Sequence, residues 1–163
     1  MYVVGLFASA ILLFVSFWVK RKHLHPLAIA FCWMTAVFLK DTVFMMVLLN
    51  LEWADVSSQL NKMFLRLVNF YIITPVIIVW GIDAMRGANR MAAKWLYAGI
   101  AVALCIAVDF ALVSAKAWAP VKGWSLGVSI LETGSIFLIS LAATFAFQRL
   151  LWKEGIAYDT PIP

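Results

Sequence analysis

Charged side chains are scarce in this sequence. Of its 163 residues only 13% are charged, 65% are hydrophobic, and the mean hydropathy is +0.97. A soluble domain normally has about 25% charged residues, and a soluble chain of this size leaves much of its surface in water. The composition therefore argues against a soluble domain. It predicts an integral membrane protein, whose first partner is the lipid bilayer.

Cysteine and histidine are also rare, with two of each. Cys32 and Cys105 lie inside apolar runs and form no C-x-x-C motif, so we interpret them as small packing residues rather than redox or metal residues. His23 and His25 lie at the edge of an apolar run among basic residues. That position is poor for haem ligands and suits contact with anionic lipid. We therefore expect no cofactor and no metal site.

Familiar catalytic and nucleotide-binding motifs are missing as well. The sequence has no Gly-rich phosphate loop, no G-x-S-x-G and no H-E-x-x-H. The net charge is +5, but the basic residues cluster at the ends of apolar runs, as membrane topology requires. No nucleic-acid partner is expected, and an enzyme is not the leading hypothesis.

What the sequence does contain is five apolar runs. They lie near 2–19, 27–49, 63–82, 95–115 and 125–147. Each has about the ~20 residues needed to cross a hydrocarbon core of ~30 Å. Backbone groups in lipid must be hydrogen-bonded within their own segment, so helices are expected. We predict an all-α, five-helix transmembrane domain over 1–148 and a short cytoplasmic tail over 149–163. The longest connector, about 50–62, is expected to form a short surface helix.

The basic residues predict the orientation of the helices. Eight of them fall in the predicted inner segments: Lys20, Arg21, Lys22, Arg86, Arg90, Lys94, Arg149 and Lys153. Three fall in the predicted outer loops: Lys62, Lys116 and Lys122. This bias puts the N-terminus outside and the C-terminus inside, in a multi-pass protein of the cell membrane. The first run has its basic residues after it, the reverse of a signal peptide, so a retained helix is expected.

Small residues recur every four positions in the fourth run. They are Gly99, Ala103, Ala107, Ala111 and Ala115. This spacing places them on one helix face, where small side chains let a neighbouring helix approach closely. The pattern predicts a packing face. Asp109 points away from it, about 200° around the axis from Ala107.

Polar residues inside the apolar runs are the candidate functional residues. With a rise of about 1.5 Å per residue, they come out in the same outer half of the membrane. They are Lys40, Asp41, Arg66, Asn69, Asp109 and Glu132, with Thr133 beside the last of these. We expect Lys40 to pair with Asp109 or Glu132, and Asp41 to pair with Arg66. Thr74-Pro75 is expected to kink the third helix.

Three functions are compatible with this polar layer. The leading hypothesis is a binding, permeation or sensing site for a small polar solute or cation. In it Asp41, Asp109 and Glu132 are acceptors, which Lys40, Arg66 and Asn69 balance and orient. If all are ionised the charges sum to −1, so the odd carboxylate should hold a proton or meet a cation.

The second hypothesis is a scaffold or accessory subunit whose buried charges only hold helices together. An odd number of spans without a soluble domain is typical of a subunit of a homo-oligomer or larger membrane complex. The third hypothesis is an intramembrane hydrolase that uses paired carboxylates. The sequence leaves these alternatives open.

Overall fold

The computed structural model describes residues 5, 8, 11–12, 15–17, 23–49, 51–121 and 125–156. Most of the first predicted run, 2–19, lies outside the described residues, and its described positions are helical. The end of the predicted tail, 157–163, also lies outside them. Of the five predicted runs, the structure therefore describes the last four.

The described chain contains four helical segments that are long and apolar enough to cross a membrane. The first is α1 (Pro26–Val43), which continues as π-helix over Phe44–Leu49. The second is one continuous helical segment, made of α2 (Leu60–Val68), a π-helical turn (Asn69–Ile73) and α3 (Thr74–Gly87). The others are α4 (Met91–Ser114) and α5 (Leu126–Lys153). The prediction of a helical bundle of membrane-spanning type is confirmed for these residues.

Local sequence sets where these helices begin. Pro26 opens α1 at the first helical position, where its missing N–H costs nothing. The Ser125 side chain caps α5 by accepting a hydrogen bond from the N–H of Val128 at 3.4 Å. In the second span, Pro75 cannot donate to the carbonyl of Tyr71. The chain widens into the π-helical turn just before it, and Thr74 N–H bonds to the Asn69 carbonyl.

A short antiparallel ribbon joins two of the connectors. Strand β1 (Ala54–Val56) pairs with β2 (Trp118–Pro120), with Asp55 opposite Ala119. The expectation of a surface helix over 50–62 is wrong for most of that connector, although α2 begins at its end. Pairing with a distant connector supplies backbone hydrogen bonds that the connector's own sequence does not reveal. The ribbon ties the loop after α1 to the loop after α4.

Helix α1 packs through a face of small residues, which is a different face from the one predicted on α4. On α1, the residues Ala28, Cys32, Ala36 and Lys40 recur every four positions and are all buried. This face packs against α5 and α3, and Phe31 stacks on Phe147 with ring centroids 4.3 Å apart. Close packing with α5 at the small residues brings the Lys40 end of the face into the bundle.

The predicted packing face on α4 is not buried among the described residues, except at Ala115, which is half-buried. Gly99, Ala103, Ala107 and Ala111 are exposed, and no atom lies within 4 Å of a Cβ built at Gly99. The buried face contains Ala98, Ala101, Cys105, Asp109 and Leu112 instead. A spacing of four residues defines a face but not its direction. Burial of Asp109 on the opposite side turns the small residues outward.

Candidate functional site

Three helices bring their charged side chains to one point within the bundle. Lys40 Nζ of α1 lies 2.9 Å from Asp109 Oδ2 of α4 and 3.0 Å from Glu132 Oε1 of α5. Their side chains are 5%, 11% and 7% exposed, in that order. We call these three residues the Lys40 cluster. The ammonium contacts both of the partners that the sequence suggested for it.

An amide and a hydroxyl from the second span extend the cluster. Asn69 Nδ2 donates to Asp109 Oδ1 at 3.1 Å, and Thr74 Oγ1 donates to Asn69 Oδ1 at 3.0 Å. Both residues are buried. The π-helical turn places positions five apart above one another, which is the separation of Asn69 and Thr74. The widening before Pro75 therefore orients the amide toward Asp109.

Aromatic rings close the cluster on the side of the second span. The Phe70 ring lies with its centroid 5.6 Å from Lys40 Nζ, within reach of a cation–π contact. Phe44 meets Phe70 edge-on at a centroid distance of 4.8 Å. Arg66 lies beyond them, with Cζ 5.3 Å from the Phe44 centroid. Lys40 and Arg66 thus contact different rings of this phenyl pair.

The predicted pair of Asp41 with Arg66 is wrong. Within the described ranges, the ion pairs are those of Lys40 with Asp109 and Glu132. Asp41 is half-buried beside Lys40 in the chain, and Arg66 Nη1 is buried with no hydrogen-bond partner among the described residues. Adjacent helix positions point about 100° apart, so Asp41 and Lys40 cannot face the same neighbours.

Thr133 is buried beside the cluster but is not joined to it. Its residue is 3% exposed, and Oγ1 has no hydrogen-bond partner in the part of the chain that the structure describes. Buried hydroxyls are rarely left without a partner. Because adjacent helix positions point about 100° apart, Thr133 and Glu132 face different neighbours.

The charges of the cluster do not balance. One ammonium faces two carboxylates, which gives −1 if all three are ionised. Asp109 uses both carboxylate oxygens and Glu132 uses Oε1. Among the described residues, no hydrogen bond reaches Glu132 Oε2. Glu132 Oε2 is therefore the carboxylate oxygen of the cluster that makes no hydrogen bond within the described residues.

A cavity of about 80 Å³ reaches the cluster from the ribbon end of the bundle. Its walls are Asp109, Phe110, Val113, Trp118, Pro120, Ser125, Leu126 and Ser129. A single water needs roughly 10–15 Å³ of such volume, so the cavity can hold several waters. Asp109 belongs to both the cavity and the cluster, and it connects the cluster to this end of the bundle.

Sequence reasoning missed three parts of this arrangement. The sequence marks Thr74 only as part of a kink. The contact of the Phe70 ring with Lys40 gives no signal in a run rich in aromatic residues. Asp83 is buried at the other end of the bundle, where Oδ1 accepts hydrogen bonds from the backbone N–H groups of His23 and Leu24 at 2.7 and 3.0 Å. Its position just past the predicted third run was the signal that could have found it.

Among the described residues, no group of three or more His, Cys, Asp or Glu side chains could hold a metal ion. Comparison of the chain with protein-family models, with curated proteins and with solved structures finds no match.

Proposed function

We propose that this chain is a multi-pass membrane protein that binds a small cation at the Lys40 cluster. The observation that carries the proposal is the charge imbalance: two buried carboxylates face one ammonium. An ionised carboxylate without a positive partner is costly away from water. A bound cation removes that cost, and the same site accepts a small polar solute that presents a positive group.

The proposed topology has five spans, with the N-terminus outside, the C-terminus inside and the protein in the cell membrane. The excess of basic residues in one set of connectors supports this orientation. In that orientation the β1–β2 ribbon and the cavity face the outside. A solute from outside would then reach Asp109 without crossing the whole bilayer.

The position of the cluster suggests sensing or permeation rather than storage. Lys40, Asp109 and Glu132 come from three helices, so a cation bound among them changes the attraction between α1, α4 and α5. A site that links three helices can convert binding into a shift of their packing. Asn69 and Thr74 extend the same coupling to the second span.

The test is ligand-dependent stability of the purified full chain in lipid nanodiscs. The unfolding midpoint is measured against pH and against Na⁺, K⁺, Ca²⁺ and a primary ammonium ion, at constant ionic strength. Binding to the folded state adds about 2.7 kcal/mol at a ligand concentration of 100 Kd. We expect one of these cations, the proton included, to raise the midpoint of the wild type. Asp109→Asn and Glu132→Gln should lose that response.

Glu154→Gln is the matched control, because Glu154 is exposed at the end of α5. It removes the same charge and should keep the wild-type response. If Glu132→Gln folds and responds to every cation as the wild type does, the binding proposal is wrong.

A second candidate is a scaffold or accessory subunit, favoured by a specific observation. The small-residue face of α4 is exposed, and such a face suits close packing with a helix of another subunit or another copy. On this alternative the Lys40 cluster only holds the helices together. Gly99→Leu would then abolish assembly, measured by the mass of the complex in nanodiscs, while Leu131→Ala, at an exposed position of α5, would not.

The intramembrane hydrolase has less support. Asp109 and Glu132 are both engaged by the same ammonium, whereas acid–base hydrolysis needs two carboxylates with separate roles. Turnover of a peptide or lipid substrate that disappears in Asp109→Asn would revive this third function.

A further inference from the structure

We infer that the cation taken by the Lys40 cluster is a proton, which is held on Glu132 and exchanged with water in the cavity beside Asp109. This inference rests on the proposed cation-binding function and names its ligand and access route. Three features carry it: the oxygen inventory of the cluster, its charge, and the connection to the cavity.

The oxygen inventory favours a proton over a metal ion. Asp109 Oδ1 and Oδ2 accept from Asn69 and Lys40, and Glu132 Oε1 accepts from Lys40. This leaves Glu132 Oε2 as the carboxylate oxygen of the cluster without a partner among the described residues. Metal ions that bind oxygen need several ligands at once, for example 6–8 for Ca²⁺. A proton needs one oxygen.

The charge of the cluster becomes zero with that single proton. Lys40 and Asp109 then form a one-to-one ion pair, and Glu132 becomes a neutral acid that still accepts a hydrogen bond through Oε1. The step transfers H⁺ from hydronium in the cavity to Glu132 Oε2. It breaks one O–H bond, forms another and leaves water behind.

The neighbouring charged and titratable groups are consistent with this assignment. Lys40 and Asp41 belong to α1, and Asp109 and the Cys105 thiol one turn away belong to α4. On the second span, the guanidinium of Arg66 lies over the Phe44 ring, and no ion pair joins it to Glu132 within the described residues. Lys40 is thus the one cation in direct contact with Glu132 in the described structure, and it already serves Asp109.

The cavity supplies the path. Ser129 lines it and lies three residues before Glu132 on α5, so the two side chains are neighbours on the helix surface. Ser125 and Ser129 provide hydroxyls along the wall from the ribbon end toward the cluster. Water along this wall can bring a proton to Glu132.

Infrared difference spectroscopy of the full chain in liposomes tests the ligand. Lowering the pH should produce the C=O band of a protonated carboxylic acid, which Glu132→Gln removes and Glu154→Gln keeps. The band should not respond to Na⁺ or K⁺ at fixed pH. A band that Asp109→Asn removes and Glu132→Gln keeps would overturn the assignment to Glu132.

The failures of the two proposals differ. If Na⁺, K⁺ or Ca²⁺ changes the carboxylate bands of Glu132 and pH does not, the proton inference is wrong and the cation site stands. If neither pH nor any cation changes a band that depends on Glu132 or Asp109, both are wrong.

A second measurement tests the route. Ser129→Phe fills the cavity and should slow hydrogen–deuterium exchange of the Glu132 acid band roughly tenfold or more. Ile130→Phe adds the same ring at the neighbouring, exposed position and should leave the rate unchanged. Val113→Phe, on the opposite wall, gives a second blocked cavity if Ser129→Phe does not fold. Exchange as fast as in the wild type in a folded, blocked variant would overturn the route.

Discussion

Thr74 Oγ1 donates a hydrogen bond to Asn69 Oδ1 at 3.0 Å, five residues earlier in the same span. This bond fixes which end of the Asn69 amide faces Asp109, because the Nδ2 group must then point toward the carboxylate at 3.1 Å. A residue adjacent to the proline that disrupts the helix therefore sets the direction of a hydrogen bond between two spans.

Removing the Thr74 hydroxyl should weaken this arrangement. Thr74→Val keeps the shape of the side chain and leaves Oδ1 of the Asn69 side-chain amide without its buried donor. We expect a loss of about 1 kcal/mol in the free energy of unfolding, within the range for polar contacts in membrane bundles. Reversible unfolding in mixed micelles measures it.

Thr35→Val is the matched control for this change. Thr35 Oγ1 bonds to the carbonyl of Phe31 in its own helix at 2.8 Å, so its loss leaves no unpaired partner on another span. Thr74→Val and Asn69→Leu should also be non-additive, since both act on one chain of contacts. Additive effects would show that Thr74 does not act through Asn69.

The Lys40 ammonium should stabilise the fold by compensating the two carboxylates of the cluster. Lys40→Met removes the ammonium shared by Asp109 and Glu132 and leaves both carboxylates buried without it. Breaking a buried ion pair from one side costs about 3–5 kcal/mol. We expect a loss of that size in the free energy of unfolding, partly restored when Asp109→Asn and Glu132→Gln are added.

Lys153→Met is the control, because Lys153 is exposed near the end of α5. It should change the free energy of unfolding little. A stable Lys40→Met protein that unfolds like the wild type would contradict the buried ion pair.

The sequence predicts the partners of Lys40 well because a charge inside an apolar run must be answered by opposite charge on another run. It does not predict the failure of the Asp41–Arg66 pair. Asp41 is half-buried, so it does not need a cation as strongly as the buried Lys40 needs anions. Arg66 satisfies part of its charge over the Phe44 ring, a contact that depends on three-dimensional packing.

For the fold, too, the sequence predicts some features and not others. Apolar runs of the right length predict helices because hydrogen bonding in lipid permits little else. The direction of the α4 small-residue face depends on which side Asp109 occupies, and two equally spaced faces cannot be ranked by spacing alone. The β1–β2 pairing joins residues more than sixty positions apart, and the short strands show no alternating pattern long enough to predict it.

A pair of glycine substitutions distinguishes the buried and exposed faces. A Cβ added at Gly81 of α3 would lie 2.6 Å from Ala101 Cβ of α4 and 3.2 Å from Phe137 Cε2. We expect Gly81→Ala to lower the free energy of unfolding by about 1–3 kcal/mol through overpacking. A Cβ added at Gly99 meets no atom within 4 Å, and alanine favours helix by up to about 1 kcal/mol over glycine. We therefore expect Gly99→Ala to keep or raise the free energy of unfolding.

The same unfolding assay measures both glycine variants. A destabilised Gly99→Ala protein would contradict the outward direction of the small-residue face. A neutral Gly81→Ala protein would contradict the close approach of α3 to α4.

The last prediction tests orientation, on which the access route from outside depends. Ser58 and Asn89 are exposed residues of the connectors at opposite ends of the second span. In intact cells, a membrane-impermeant thiol reagent should label Ser58→Cys and not Asn89→Cys, because the positive-inside rule predicts that the basic connectors lie inside. After the cells are permeabilised, both should react. Cys32 and Cys105 are 0% and 1% exposed, so the background labelling should be low. Labelling of Asn89→Cys alone in intact cells would place the β1–β2 ribbon and the cavity inside, and the proton on Glu132 would then exchange with the cytoplasm.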